Sequence, residues 1–445
     1  MQDYSRWVLG WIKNLGRSVA FLPAPMMFAG MVIGIGLYYF ETNTDISAKI
    51  TESFPAVMVS SQETARNILG LFIGGLITLV VFTFTQLMNL FNQVANSYSP
   101  RLLPFFTGDR SLQFTMGFYL GTIILTLIVL LSIRGNDDGY VPNLSVLICI
   151  VLGIASLGIF IYFVTTVSRK IQVDNLIRKI HQLGLDFIDA DQAREGYAVK
   201  TLPADLGNWY VVPSPIDGFI GTVNFSRLSE LAAKYETQFY LSTAKGEYLP
   251  KGHPLFQSQR VLKEEEVQKV LSAVAPITQK FDDWYLPTLR LLVEIAMKAM
   301  SPGINDPGTA LDAIDRIHGM LGHLLGTPIP NHYAAEKGGA VWFTNKDLPA
   351  ILNDTLSHLR TYCRADVVVS RKLMKMLFQL LSLAQSEPAV EAALREEIQA
   401  LAEDIGRHIT NAHDRATIAR EVWAYRAFVA EFPTEMDFLG VAGGE

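Results

Sequence analysis

Four long apolar segments, separated by short polar stretches, dominate about the first 170 residues of the chain. They run approximately from Val19 to Phe40, Ile68 to Leu90, Phe114 to Ile133 and Leu144 to Val167. None of them contains Asp, Glu, Lys, Arg or His, and each approaches or exceeds the roughly 20 helical residues that cross about 30 Å of hydrocarbon. The pattern therefore predicts a four-span transmembrane domain over residues 19–168.

Basic residues in the short flanks predict the orientation of these spans. The side that contains the N-terminus carries Arg6, Lys13, Arg17, Arg101, Arg110, Arg169, Lys170, Arg178 and Lys179. The opposite side carries only Lys49, Arg66 and Arg134, and its loops also contain acidic residues. By the positive-inside rule both termini are cytoplasmic, and the chain from about residue 170 onward is a cytoplasmic tail.

Residues 1–18 precede the first span and have an amphipathic pattern. Tyr4, Trp7, Trp11 and Leu15 recur at spacings of three and four, with the basic residues elsewhere. This pattern is typical of a helix that lies in the membrane interface. A helix packed against the cytoplasmic domain would show the same pattern, so both interpretations stay open.

Polar residues recur along one side of the second span and of its continuation toward Pro100. They are Thr78, Thr85, Asn89, Gln93 and Asn96, with Asn92 as an alternative to Gln93. Unpaired polar groups that face lipid cost several kcal/mol, so this stripe must meet water or another polar surface. It lines a pore in an oligomer, or it forms a hydrogen-bonded seam between helices, with the amides near the C-terminal end of the helix merely solvated. The absence of ionisable groups within the spans argues against a proton-coupled transporter.

The loop after the second span contains two arginines, Arg101 and Arg110. Both are expected at the level of the lipid phosphates, where they act as interfacial anchors. The sharper alternative is a basic ring at the cytoplasmic mouth of a pore.

Small residues recur in pairs within three spans. The pairs are Gly30 with Gly34, Gly70 with Gly74, and Gly117 with Gly121. Glycines four residues apart let helix backbones approach closely in lipid, so the pairs predict tight helix packing.

A linker, residues 169–208, follows the fourth span. Its segment SRKIQVDNLIRKIHQLGLDF predicts an amphipathic helix that continues the membrane helix. Residues 209–262 then predict a small β-rich module, with short strands in WYVVPSPIDGFIGTVN, TQFYLST and KGEYLPKGHPLFQS, and a helix opened by Ser226. No lysine sits in the tight turn that a lipoyl or biotinyl carrier needs, so this module is interpreted as structural.

The remainder, residues 263–445, has the periodicity of a helical domain. Its predicted helices are 264–274, 281–299, 307–325, 347–363, 368–384, 388–410 and 412–430. The predicted fold is therefore a mainly α membrane protein with four spans and a cytoplasmic α+β region.

The segment AMSPGINDPGTA, residues 299–310, joins two of these helices. Gly303 is suited to the left-handed conformation that ends a helix, and Asp306 followed by Pro307 is a strong helix start. Together with Ser301 and Asn305, these residues predict a tight structural corner.

A ligand site at this corner is the competing hypothesis. Asp312, Asp315 and His318 follow at three-residue spacing, and Glu294 lies on the preceding helix. The sequence lacks HExxH, paired cysteines, a P-loop, a nucleophile elbow and a dinucleotide fingerprint. It therefore assigns no metal, no cofactor and no catalytic residue.

The composition and the net charge exclude further classes of partner and binding site. The formal net charge of −6, with no strongly basic face, makes nucleic acid an unsuitable partner. The two cysteines, Cys149 within a span and Cys363 in the tail, offer neither a disulfide framework nor metal-binding spacing.

Four separated motifs resemble a known family. They are SYSPRLLPFFTGDR, IQVDNLIRKI, DGFIGTV with the later GEYLPKGHPLF, and AMSPGINDPGTALDAIDRI. With these motifs in order, nearly the whole chain resembles the bacterial predicted-membrane-protein family called domain of unknown function two-two-five-four. The resemblance implies an inner-membrane protein with an N-terminal membrane part and a cytoplasmic part, and it implies no activity. The weakest match is about residues 325–350, where GTPIPNHYAAEKGGAVWF predicts a loop.

Three functional hypotheses follow. The polar stripe favours a homo-oligomeric channel with a cytoplasmic regulatory domain, whose partners are the lipid bilayer, further copies of the chain and inorganic ions. The long tail favours a membrane-anchored sensing or scaffolding protein. The acidic residues around the corner favour a membrane-bound enzyme only weakly, since clustered acids are usually a solvated surface. The stripe makes the channel the preferred hypothesis.

Overall fold

The computed structural model divides the chain into two compact units, residues 1–175 and residues 176–445. It describes residues 18–44, 59, 61–133, 141–170, 172–192, 195–215, 217–277, 284–384 and 387–425. The predicted interfacial helix, apart from Ser18, lies outside the described residues.

The first unit contains the four predicted spans. Its helices are α1 (Pro23–Thr42), α2 (Gln62–Ser97), the short α3 (Leu103–Thr107), α4 (Arg110–Ser132) and α5 (Asn143–Lys170). By length and composition α1, α2, α4 and α5 could each cross a membrane, as the apolar segments predicted. At 36 residues α2 is about 54 Å long, so it extends well beyond the hydrocarbon layer.

Helix α4 packs against each of the other three spans, and glycines set its contact with α1. A Cβ atom added at Gly121 would lie 2.8 Å from the carbonyl oxygen of Met26, and one at Gly30 would collide with the carbonyl oxygen of Gly121. The tight packing predicted for the first and third glycine pairs is therefore present. Gly70 and Gly74 have nothing within 4 Å of such an added atom, because they lie on the exposed side of α2.

Two charged side chains form hydrogen bonds with backbone groups at helix ends within this unit. The Glu41 carboxylate, at the end of α1, accepts hydrogen bonds from the backbone N–H groups of Leu144 at 3.0 Å and Ser145 at 3.1 Å, at the start of α5. Arg66 Nη2 donates to the carbonyl oxygen of Ile133, just after α4, at 2.7 Å. Each charge has the sign that complements the helix dipole at that end.

The second unit contains α6 (Val173–Gln192) from Leu176 onward. Helix α5 ends at Lys170 and α6 begins at Val173 as a separate helix, so the prediction of one continuous helix is wrong. Ile177 and Ile180 are completely buried, as expected for the apolar side of an amphipathic helix.

Two β-sheets follow α6. The strands are β1 (Tyr197–Ala198), β2 (Tyr210–Pro213), β3 (Gly218–Val223), β4 (Phe239–Leu241), β5 (Tyr248–Leu249), β6 (Pro254–Ser258), β7 (Val274–Ile277), β8 (His332–Tyr333) and β9 (Val341–Phe343). The larger sheet has the order β1-β8-β9-β4-β6-β2, and the smaller has the order β5-β3-β7. Only the β4–β9 pair is parallel among the described strands.

The sheets correct three local predictions. The segment predicted as a loop supplies β8 and β9, whose two to three residues each are too short to give a periodic signal. The predicted helix 264–274 is α8 (Glu264–Leu271), followed directly by β7. Helix α7 (Phe225–Lys234) is capped by Asn224, whose side chain accepts from the backbone of Arg227, and not by Ser226.

The helical domain has the predicted succession of helices. They are α9 (Tyr285–Ala299), α10 (Pro307–Leu324), α11 (Leu348–Cys363), α12 (Val367–Leu383), α13 (Pro388–His408) and α14 (Ala412–Trp423). Asp306, Asp347 and Asp366 each cap the helix that follows them, which explains why these helix starts are readable in the sequence.

We expect Gly30→Ala to destabilise the membrane unit, because the added methyl group meets the Gly121 backbone, which cannot move aside as a side chain can. Overpacking of this kind costs about 1–3 kcal/mol. Thermal unfolding of the full chain in mild detergent measures the loss. Gly36→Ala, on the same helix with open space around it, is the matched control and should leave stability unchanged or slightly raised. Equal effects of the two variants would contradict the packing described.

Candidate functional site

Helix α2 has two opposite sides. Residues with at most 3% exposure form the side that packs inside the membrane unit, namely Ala65, Leu69, Leu76, Thr83, Leu87, Leu90 and Val94. The predicted polar stripe lies on the other side, where Thr78, Thr85, Asn89, Gln93 and Asn96 are all exposed. The structure thus brings these five side chains onto one outward face.

The hydroxyl groups of the stripe are satisfied within α2 itself. Thr78 Oγ1 donates to the carbonyl oxygen of Gly74 at 2.9 Å, and Thr85 Oγ1 donates to that of Val81 at 2.8 Å. Asn89, Gln93 and Asn96 make no hydrogen bond to a described residue, so their amide groups are available to water, ions or another chain.

The face extends beyond the residues predicted from the sequence. Glu63, Asn67, Gly70 and Gly74 precede Thr78 on the same exposed side, at spacings of four, three, four and four. Helical periodicity would have indicated them, but the predicted stripe begins at Thr78 and is not traced back toward the start of the helix. We call the set Glu63, Asn67, Gly70, Gly74, Thr78, Thr85, Asn89, Asn92, Gln93 and Asn96 the α2 face.

The neighbouring spans differ from α2 in their outward amides and not in apolar exposure, since α2 also exposes Leu71, Ile77, Val81, Phe82 and Phe84. Helix α1 exposes Phe28 and Val32, and α5 exposes Ile154 and Ile161, the last with 65% of its surface. Such apolar sides suit contact with lipid. Among the described residues of the four spans, the exposed side-chain amides within the helices lie on α2 alone.

This geometry bears on the two interpretations of the stripe. A seam between helices of one chain would bury the stripe residues, whereas the structure leaves all five exposed. Any partner of the α2 face therefore comes from outside the described part of the chain. Lining of a pore by these residues stays a prediction.

The two loop arginines have different surroundings. Arg101 is half-buried in a one-turn 3-10 helix directly after α2, where its backbone N–H donates to Ser99 Oγ at 3.3 Å. Arg110 is the exposed first residue of α4, next to Asp109, whose carboxylate caps that helix through Ser111 and Leu112. The structure does not bring either arginine onto the α2 face itself.

The corner between α9 and α10 is built largely as predicted, with one correction. Asp306 caps α10, because its carboxylate accepts from Thr309 N at 3.1 Å and from Thr309 Oγ1 at 2.6 Å. These hydrogen bonds hold the pKa of Asp306 below its usual value. The left-handed residue is Asn305, with φ 47°, and not Gly303. Asparagine tolerates this conformation better than other side chains, so the turn does not need glycine there.

The acidic residues near the corner do not converge on a site. Asp315 pairs with Lys372 Nζ at 2.5 Å, Glu294 lies 3.6 Å from Arg290, and Asp312 is exposed. Burial lowers the pKa of the half-buried His318, an effect that Asp315 opposes and Lys372 reinforces. Within the described ranges no group of three or more His, Cys, Asp or Glu could hold a metal ion.

Other buried polar groups in the tail have structural explanations. Arg360 on α11 donates to Asp404 at 2.7 Å and to Glu397 at 3.4 Å, both on α13. Burial raises the pKa of Glu397 despite this arginine. Burial also raises the pKa of Cys363 to about 12, which removes it as a thiolate nucleophile.

The tail also contains a cavity of about 200 Å³, lined by residues of β3, β5, β6, β7, α8 and the loop before β3. Its walls are apolar, with Phe219, Leu249 and Leu271 among them, and its hydroxyl group is that of Ser214. No acidic or basic side chain lines it, so it presents no chemistry for a reaction.

The family model described as Predicted membrane protein (DUF2254) matches residues 16–379, which include all four spans and the corner. The chain belongs to the DUF2254 family. This confirms the resemblance carried by the four motifs, and the family description carries no activity. Relatives of this DUF2254 chain include uncharacterized proteins of Mycobacterium bovis and Mycobacterium tuberculosis. Each is 25% identical over 370 residues, covering 80% of this chain and 70% of the relative. No solved structure matches this chain.

His332 makes the stability of this DUF2254 protein depend on pH. It is 3% exposed in β8, with its ring 4.6 Å from that of Trp342, and burial, reinforced by Lys200, lowers its pKa. His332 therefore binds a proton less readily in the folded chain than in the unfolded chain, where a histidine becomes protonated below about pH 6.5. Stability is fully present above that pH and is lost as pH falls toward the folded-state pKa.

We expect His332→Gln to reduce the loss of stability that occurs as pH falls. Melting temperatures of the full chain between about pH 7.5 and 5 measure it, a range that brackets the usual histidine pKa. His253→Gln replaces an exposed histidine and should leave the pH dependence unchanged. An unaltered slope in His332→Gln would show that other groups, such as His181 and His318, whose pKa values burial also lowers, cause the loss.

Proposed function

We propose that this protein is a homo-oligomeric channel of the bacterial inner membrane, in which copies of the α2 face surround a central passage and the tail regulates it. The observation that carries the proposal is that, among the described residues of the four spans, the exposed side-chain amides all lie on this one helix, beside its exposed apolar residues. Both termini are assigned to the cytoplasm by the basic residues of the flanks, which places Arg101 and Arg110 at the cytoplasmic mouth.

The composition of the α2 face changes along the helix in a way that suits a passage. Gly70, Gly74, Thr78 and Thr85 occupy the apolar stretch, where small side chains let helices approach and hydroxyl groups are already bonded to the backbone. Asn89 and Asn96 lie toward one end and Asn67 toward the other. This arrangement describes a narrow central section between two polar vestibules.

Lipid contact is a poor alternative for this face. A side-chain amide without a partner in hydrocarbon costs several kcal/mol, and Asn89 lies at the edge of the apolar segment with no partner among the described residues. A second copy of the chain, or water held within an oligomer, removes that cost. A membrane anchor for a scaffolding tail would not need a polar outward face on one span only.

Oxidative cross-linking tests the assembly. Both native cysteines are buried, so a new cysteine on the surface reports its own surroundings. We expect Thr85→Cys in native membranes to form disulfide-linked dimers on treatment with copper phenanthroline, because the α2 faces of two copies meet. Ile161→Cys, on the apolar outward side of α5, is the matched control and should cross-link at background level. Cross-linking that is equal at the two positions would argue for random collision.

Conductance in planar bilayers tests the passage. Wild-type protein should conduct ions, and Asn89→Leu should reduce conductance at least about five-fold, since one hydrogen-bonding group is worth about 1 kcal/mol and every subunit loses one. Ile161→Leu should conduct like the wild type. A cross-linked oligomer that conducts no ions under any gradient would exclude the channel and favour the scaffolding protein.

A further inference from the structure

The two charged residues of α2 are both exposed but have different hydrogen-bonding surroundings. Helix α2 contains only two ionisable residues, Glu63 and Arg66. At a spacing of three they could pair with each other, but Arg66 is turned toward α4 and donates to the Ile133 carbonyl at 2.7 Å. The Arg66 guanidinium group thus interacts with the C-terminal end of α4.

Glu63 is left on the other side. It is exposed, lies four residues before Asn67 on the α2 face, and forms neither an ion pair nor a hydrogen bond with a described residue. The α2 face therefore carries one carboxylate per chain and no basic residue along its whole length.

The remaining groups of the face are compatible with cations. The amide oxygens of Asn67 and Asn89 are hard ligands that can replace water around an inorganic cation. The hydroxyl groups of Thr78 and Thr85 donate to their own backbone, which directs their oxygen lone pairs outward. Anions would find amide N–H groups but would have to pass the carboxylates.

We infer that the Glu63 carboxylates, one from each subunit, form a ring at one entrance of the passage and make it select inorganic cations over anions. This inference rests on the proposed channel and adds to it the class of permeant and the residue that sets it. Rings of acidic side chains give cation selectivity because they concentrate counter-ions where the wall excludes water. The competing expectation is an anion preference set at the opposite mouth by Arg101 and Arg110.

Reversal potentials under a potassium chloride gradient test the inference with purified full-length protein in planar bilayers. Wild-type protein should show a potassium preference, and Glu63→Gln should lower the cation-to-anion permeability ratio several-fold toward one while conductance persists. Glu63→Asp keeps the charge and should keep the preference. Asp312→Asn, which removes an exposed carboxylate from the tail, is the matched control and should behave like the wild type.

A second variant tests the charge at position 63 without relying on the folding of Glu63→Gln. Glu63→Cys can be modified after reconstitution with a cationic methanethiosulfonate reagent, and the buried native cysteines should not compete. Modification should reverse the preference from cations to anions within one membrane.

The outcomes separate the two proposals. A conducting wild type that prefers anions, or a preference unchanged in Glu63→Gln and in modified Glu63→Cys, overturns the selectivity inference and leaves the channel standing. A wild type without conductance overturns the channel and the inference with it.

Discussion

Hydrocarbon offers no hydrogen-bonding partner, and this constraint accounts for most polar contacts of the membrane unit. Backbone groups at the ends of α4 and α5 are closed by Arg66 and Glu41, and the threonines of α2 return their hydroxyl groups to the helix backbone. The outward amides of α2 differ from these groups, because they have no hydrogen-bonding partner among the residues that the structure describes. The proposed assembly follows from that difference.

The glycines show how the same helix bundle separates internal packing from an outward surface. Gly30 and Gly121 lie where α1 and α4 touch backbone to backbone, and any side chain would force the helices apart. Gly70 and Gly74 have the same spacing but face outward from α2. A pair of small residues within a span therefore lies either at a helix contact or on an exposed surface, and the sequence motif is identical in both cases.

Charged side chains on the surface of the second unit pair locally. The acids near the corner form a dispersed set of surface pairs, as in Asp315 with Lys372, and Asp306 is explained by its capping hydrogen bonds. The corner is therefore accounted for as structure, although its residues are the most distinctive in the sequence. Distinctive turns arise wherever a chain must stop one helix and start another within few residues, since few residue types tolerate the required backbone angles.

The sequence by itself determined the four spans and the tail helices, because apolar length and helical period are local properties, and it located the cap at Asp306 for the same reason. Tertiary structure alone decided the pairing of β8 and β9 with distant strands, the choice of Asn305 over Gly303 for the left-handed position, and the break before α6. It also decided that Arg66 donates to the Ile133 carbonyl oxygen while Glu63 stays on the outward face. Periodicity shows which residues share one side of a helix, but only packing against neighbours determines which side remains free, since burial depends on residues far away in the chain.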